Sequence, residues 1–205
     1  AIWGPAHEHG HDHQRLIEMI GTAEVSNNCL ANIANHHHGM LVSRGASLPD
    51  ASALYAAGGQ WFDQDIWVSC QMYHKLFLYY HVAGKDDTFY PRLFQKLRND
   101  RMNHSQNVAV PANQDYLKFA VACAQVAGED LSDFFEAYGF FRAISPEVST
   151  GVADEWWEQV SGHLCRKIGD YGTYYVYTTP EMIAEAKATI NACGAKNTNL
   201  LFIDD

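Results

Sequence analysis

The 205-residue sequence predicts a mainly α-helical protein with minor short strands. The first observation is that large apolar residues recur at three- and four-residue spacing, most clearly in the segment that contains Phe62, Tyr73 and Tyr80. The second is that helix-starting prolines, Pro5 and Pro180 among them, divide the chain into segments of helical length. Only two short runs have the composition of strands, so we expect helices to build most of the fold.

Taken in chain order, the first helix is predicted from residue 6 to about residue 17, because Pro5 suits a first helical turn. A second helix follows from about 23 to 35. The glycine-containing segment 36–59 is predicted to be a loop with a short turn of helix. Further helices are predicted at about 61–83, 88–100, 114–127, 130–138, 152–168 and 180–191. Strands are predicted at 174–178 and 200–203. We expect residues 1–205 to form one domain, with two N-terminal helices followed by a helical bundle.

The composition excludes several classes of protein. Hydrophobic residues make up 47% of the chain and charged residues 19%, which is typical of a globular protein. A formal net charge of −10 argues against a nucleic-acid partner, because phosphate binding needs clustered Lys and Arg. No apolar run reaches the ~20 residues of a membrane span. The five cysteines are widely spaced and are expected to be small buried residues rather than disulfide partners or zinc ligands.

One motif carries chemistry. The segment from His7 to His11 has the pattern H-E-x-x-H. On a helix, His7 and His11 share a face and can bind one Zn²⁺ ion together. Glu8 is offset by one residue, where it can take a proton from the water that attacks a carbonyl. The sequence therefore indicates metal-assisted hydrolysis.

Two alternatives bear on this motif. The histidines alternate from residue 7 to residue 13, so an extended chain would place all four on one face as an adventitious metal-binding tract. Pro5 and the apolar continuation at residues 16 and 17 favour the helix, in which His9 and His13 point away from the site. The internal run of histidines at 36–38 is expected to be a solvated loop, with a stray metal site as the alternative.

A catalytic zinc needs a third protein ligand, and Glu24 is the candidate. Glu18 is the rival, but seven residues along one helix place it ~10 Å from His11. Asn28 is four residues after Glu24, on the same face, and can hydrogen-bond a ligand imidazole. Gln14, three residues after His11, can do the same. For Glu24 to reach the metal, the first helix must end or bend by about residues 16–17 and residues 17–22 must fold back.

The combination of motifs resembles a known family. The block from His7 to Gln14 has the pattern H-E-x-G-H-x-x-Q, and Glu24 to Asn28 follow as E-V-x-N-N. Both are similar to the enhancin-like gluzincin metallopeptidases, the family numbered sixty among the metallopeptidases. Weaker similarity extends from residue 3 to at least residue 141. Asp12 departs from the family pattern, in which Asn is commoner.

The resemblance implies the helical C-terminal part of a zincin catalytic domain that lacks an upstream β-sheet subdomain. It implies Zn²⁺ held by His7, His11 and Glu24, with Glu8 as general base. It also implies a secreted or cell-surface endopeptidase that acts on mucin-type O-glycosylated proteins, although the 205 residues alone are expected to be inactive or weakly active. A non-catalytic helical module that binds glycoprotein or has a structural role is the alternative, but the intact set of residues favours the enzyme.

Several aromatic residues have two interpretations. Four tryptophans could stack on sugars, although their spacing favours positions in the core: Trp61, Trp67, Trp156 and Trp157. Three residues of the long central helix could stabilise an oxyanion, although packing is favoured for each: Tyr73, His74 and Tyr79.

Overall fold

A computed structural model of the chain describes residues 2–14, 23–40, 48–100, 115–168 and 174–203. In these ranges the fold is mainly helical, as predicted, and it includes one small antiparallel sheet with strand order β1-β2-β3. The helices are α1 (Trp3–Gln14), α2 (Ala23–His37), α3 (Leu48–Ala56), α4 (Ile66–Phe77), α5 (Phe89–Asn99), α6 (Asp115–Ala127), α7 (Ser132–Ala137) and α8 (Pro180–Asn191). The strands are β1 (Trp157–Val160), β2 (His163–Ile168) and β3 (Tyr174–Val176).

Helix α4 lies at the centre of the core. Its apolar side chains are supplemented by buried polar ones, so that every residue from Val68 to Phe77 is buried. Asp65 caps its first turn by accepting a hydrogen bond from the backbone N–H of Trp67 at 2.9 Å. The Tyr73 ring packs edge-on against Phe119 of α6, with ring centroids 5.3 Å apart. Helix α2 packs between α1 and this central helix, which gives the N-terminal helix pair a rigid support.

Most of the predicted helices are present. Helix α2 begins at the predicted residue, and the helices predicted at 88–100, 114–127, 130–138 and 180–191 appear as α5, α6, α7 and α8 with ends shifted by two residues at most. The long helix predicted at 61–83 is divided into a short 3₁₀ turn at Trp61–Asp63, α4, and a π turn at Leu78–Val82. The first helix begins at Trp3 and continues through Gln14, and its predicted end near residues 16–17 lies outside the described residues.

The helix predicted at 152–168 is wrong. After a 3₁₀ turn at Asp154–Trp156, this segment forms the β1–β2 hairpin, in which Val160 pairs with His163. Ser161 and Gly162 between them have φ angles of 51° and 85°. Positive φ at both central residues is the geometry of a two-residue hairpin turn. Glycine adopts positive φ without strain, and it destabilises the interior of a helix, so Gly162 favours the turn over the predicted helix.

Two shorter predictions are also wrong. The segment 36–59 was expected to be a loop with one short turn of helix, but it contains the nine-residue helix α3. Pro49 occupies the first turn of α3, where a missing N–H costs nothing, and Ala51 and Tyr55 bury its inner face. The strand predicted at 200–203 is a 3₁₀ turn at Leu200–Phe202, because Asn197 Oδ1 accepts hydrogen bonds from the N–H groups of the two residues that begin it.

The other strand prediction is confirmed in part. Strand β3 ends at Val176 rather than at residue 178, and Thr178 forms an isolated bridge with Ile144. No helix in the described part of the chain is long and apolar enough to cross a membrane.

Candidate metal centre

Close packing of α1 on α2 builds the site. Gly10, in the third turn of α1, faces Asn27 of α2, and a Cβ atom at Gly10 would lie well inside 3.0 Å of Asn27 Oδ1. The amide of Asn27 is fully buried and its Nδ2 donates a hydrogen bond to the backbone carbonyl of His7 at 2.6 Å. The missing side chain at Gly10 therefore lets the two helices approach closely enough for Asn27 to hold α1 in register.

This packing brings His7, His11 and Glu24 together. His7 Nε2 lies 3.0 Å from Glu24 Oε2, and His11 Nε2 lies 3.6 Å from Glu24 Oε1. The three side chains are 13%, 34% and 22% exposed, so the cluster opens to solvent on the side of His11. One ligand atom from each residue lies within 4.8 Å of the other two, which suits a single metal ion. The expectation that Glu24 faces both histidines thus agrees with the structure.

The hydrogen bonding of His7 fits a metal ligand. Its Nδ1 lies 3.0 Å from Oδ1 of Asn28, a fully buried residue. An amide oxygen can only accept, so the imidazole proton belongs on Nδ1. Nε2 then lies on the side of the Glu24 carboxylate, where it can serve as a metal ligand atom.

His11 is oriented by Gln14. The Gln14 amide lies 3.0 Å from His11 Nδ1, and its oxygen accepts a hydrogen bond from the buried Ser26 hydroxyl at 3.0 Å. Because a hydroxyl can donate or accept, the amide can also turn its oxygen to His11 and its nitrogen to Ser26. In that orientation His11 keeps its proton on Nδ1 and presents Nε2 as a ligand atom. Gln14 and Asn28 therefore lie where the sequence predicted supporting residues.

The remaining polar residues of α1 lie away from the cluster. Glu8, His9, Asp12 and His13 are all exposed. His9 and His13 were expected to point away from the site, and they do. Glu8 directly follows His7 on α1, and its side chain is exposed to solvent. Its role as general base stays a prediction.

Solvent exposure and secondary structure distinguish the interpretations of the remaining candidate residues. Tyr73, His74 and Tyr79 are buried in or beside α4, which favours packing over oxyanion stabilisation. Of the four tryptophans, Trp61 is in the core, Trp67 and Trp157 are half-buried, and Trp156 is 43% exposed. The residues at 36–38 finish α2 and its following turn rather than forming a loop.

The cysteines offer no alternative chemistry. None of the five forms a disulfide, and all but Cys193 are buried. Burial raises the pKa of Cys29 and of Cys70 to about 12. These thiols therefore stay protonated at neutral pH and cannot serve as thiolate nucleophiles.

Sequence reasoning missed four residues that shape the site: Trp3, Gly10, Asn27 and Asn32. The indole N–H of Trp3 donates to Asn32 Oδ1 at 3.2 Å, and its ring stacks on His7 with centroids 4.8 Å apart. A glycine inside a helical pattern, such as Gly10, was the available signal, because it marks a close approach of backbones. Asn27 and Asn32 gave no comparable signal for their contacts with α1, since asparagine is usually exposed.

Two histidines one turn apart on α1, with a carboxylate from the crossing helix α2, form the type of donor set that metallopeptidases use for their catalytic ion. Comparison with known proteins identifies the family. The sequence model of the family described as peptidase M60, enhancin and enhancin-like, matches residues 1–139. The chain therefore belongs to this metallopeptidase family, and the predicted resemblance is confirmed.

Two solved structures support the same assignment. A metallopeptidase from Bacteroides thetaiotaomicron is 29% identical with a TM-score of 0.81, and the match covers 100% of this chain and 32% of that one. A metallopeptidase in complex with Tn antigen is 30% identical with a TM-score of 0.81, with coverage of 100% and 35%. The chain therefore spans about a third of the length of these structures. None of the curated proteins matches it.

Proposed function

We propose that this chain carries the metal site of a zinc-dependent endopeptidase. The convergence of His7, His11 and Glu24 carries the proposal, because their ligand atoms lie within 4.8 Å of one another. Both imidazoles have a hydrogen-bonding partner at Nδ1, which leaves Nε2 of each as the ligand atom. Two nitrogens and one carboxylate oxygen suit Zn²⁺ and leave a fourth position for water or substrate.

The residues divide the chemistry between them. When bound, zinc supplies a Lewis acid that lowers the pKa of water and polarises a carbonyl. Glu24 contributes the negative charge that offsets the cation, and Asn28 and Gln14 hold the two imidazole rings in orientation. Glu8 accepts the proton of the attacking water on the exposed side of α1 and delivers it to the leaving amine.

The substrate we propose is a mucin-type O-glycosylated protein. The support is the family, together with the structural neighbour whose complex contains Tn antigen. A secreted or cell-surface location follows from that substrate. Since the chain spans about a third of its structural neighbours, we expect much of the substrate-binding surface to lie outside it, and we expect the 205 residues alone to be inactive or weakly active.

A non-catalytic glycoprotein-binding module is the alternative, and metal-dependent cleavage separates the two. The experiment compares this chain with a longer protein that includes it, on a mucin-type protein before and after removal of its O-glycans. We expect the longer protein to cleave only the glycosylated form, to lose activity with a chelator and to regain it with zinc. Binding of the glycoprotein without cleavage in the zinc-loaded protein would support the alternative.

A further inference from the structure

The face of the His7 ring is covered by a tryptophan. Trp3 precedes His7 by one helical turn on α1, and the two rings stack with centroids 4.8 Å apart and an interplanar angle of 22°. The indole does not lie loosely on the surface, because its Nε1 donates to Asn32 Oδ1 at 3.2 Å. Asn32 is a buried residue of α2, one turn after Asn28.

Asn28 and Asn32 therefore hold His7 in two different ways. Asn28 binds the Nδ1 edge of the imidazole directly, and Asn32 fixes the indole that covers the ring's face. The edge hydrogen bond restrains rotation of the ring about the bond that joins it to Cβ, but it leaves the ring some freedom to rock, since that torsion has a broad minimum. A fixed indole against the face removes this freedom, and Nε2 is then aimed at Glu24, 3.0 Å away.

His11 is supported differently. It is the more exposed of the two histidines, its Nδ1 contacts Gln14, and it meets the His7 ring at 85° with centroids 4.9 Å apart. The orientation of His11 thus depends partly on that of His7. A disturbance of the His7 ring plane would reach both ligand nitrogens.

We propose that Trp3 and Asn32 are positioning residues for the metal ligand His7, so that their loss weakens metal binding without removing any ligand. This inference rests on the proposed metal site. Outer partners of ligand histidines usually change metal affinity by 10- to 100-fold when they are removed, and the same range is expected here for Trp3→Leu. Trp3→Phe keeps a ring on His7 and is expected to retain most of the affinity.

The test measures zinc affinity by competition with a chromophoric chelator in the purified 205-residue chain. The variants are Trp3→Leu, Trp3→Phe and Asn32→Leu, the last of which keeps the side-chain shape without the acceptor. Trp67→Leu is the matched control, because it removes a tryptophan that packs beside Trp3, with ring centroids 6.1 Å apart, and leaves both the indole on His7 and its Asn32 acceptor in the chain. Two further readouts are the visible spectrum of the Co²⁺-loaded chain and, in the metal-free chain, exchange of the Trp3 indole proton.

We expect Trp3→Leu to lower zinc affinity at least 10-fold and to alter the Co²⁺ spectrum. We expect Asn32→Leu to have a smaller effect in the same direction, together with faster exchange of the indole proton. Trp67→Leu should remain within about threefold of the unaltered chain, below the range for outer partners of ligand histidines. If Trp3→Leu does not fold, the shape-conserving Asn32→Leu variant carries the test with the same readouts.

Equal affinity in the Trp3 variants and the unaltered chain, or an equal loss in Trp67→Leu, would overturn this inference while leaving the proposed function intact. Failure of the unaltered chain to bind zinc would instead overturn the proposed function, and this inference with it.

Discussion

Replacement of Gly10 by alanine tests the helix packing on which the site depends. The added Cβ would lie well inside 3.0 Å of Asn27 Oδ1, 3.0 Å from Asn27 Cγ and 3.6 Å from Leu30 Cβ. The first contact is far closer than atoms allow, whereas the last is an ordinary one. Either the Asn27 amide must leave the carbonyl of His7, or α1 must move away from α2.

Both responses are costly. An unpaired buried amide costs about 1–3 kcal/mol, and overpacking costs about 1–3 kcal/mol. The higher helix propensity of alanine returns about 1 kcal/mol. Because either response alone relieves the clash, we expect Gly10→Ala to lower the free energy of unfolding by up to about 2 kcal/mol. Because α1 carries both histidines and α2 carries Glu24, we also expect zinc affinity to fall at least about 10-fold, as for other outer changes at metal sites.

Gly4→Ala is the matched control, since Gly4 is on the same helix and a Cβ there would have no neighbour within 4 Å. Urea unfolding of the metal-free chain and chelator competition measure the two effects. Adding Asn27→Ala to Gly10→Ala should recover part of the stability, because it removes the clashing group. If Gly10→Ala matched Gly4→Ala in both stability and zinc affinity, the packing argument would be refuted.

Three further predictions concern single side chains. In the longer protein, Glu8→Gln should lower turnover by ~10²-fold or more with zinc retained, because the amide cannot accept the water's proton; full activity would remove Glu8 from the mechanism. Glu24→Gln should weaken zinc binding by more than ~100-fold, beyond the range for supporting residues, because it removes a ligand charge. Chelator competition measures this affinity, and an unchanged value would contradict the role of Glu24 as a ligand. Burial lowers the pKa of His81 despite the opposing effect of two nearby aspartates. The unfolded chain therefore binds more protons just below pH ~6.5, and stability should fall as pH drops through that region. His81→Gln should flatten this dependence in urea titrations of the metal-free chain at several pH values, and an undiminished dependence in that variant would contradict the assignment to His81.

The sequence was informative where one helix carried the pattern. His7 and His11 had to share a face once α1 was helical, and Glu24 was within reach once α2 crossed it. The same reasoning gave a wrong prediction at residues 152–168, because the helix was extended across Gly162. A two-residue turn with positive φ at both positions ends any helix there, so the Ser161–Gly162 pair was the stronger signal.

The supporting contacts of the site could be predicted only in part. The positions of Gln14 and Asn28 follow from spacing along one helix, because each lies one turn from a proposed ligand, His11 or Glu24, and so faces the same side. Trp3 and Asn32 depend on how α1 and α2 sit against each other, and that arrangement is set by the approach of Gly10 to Asn27. Such contacts are tertiary, and a single sequence does not record the register between two helices.

The metal content of the purified 205-residue chain tests the central claim most directly. Mass spectrometry after dialysis should show one chelator-sensitive zinc per chain, and His11→Asn should abolish it while His13→Asn, on the exposed face of α1, should not. No zinc above background in the unaltered chain, or the same zinc content in His11→Asn, would contradict the assignment of this site.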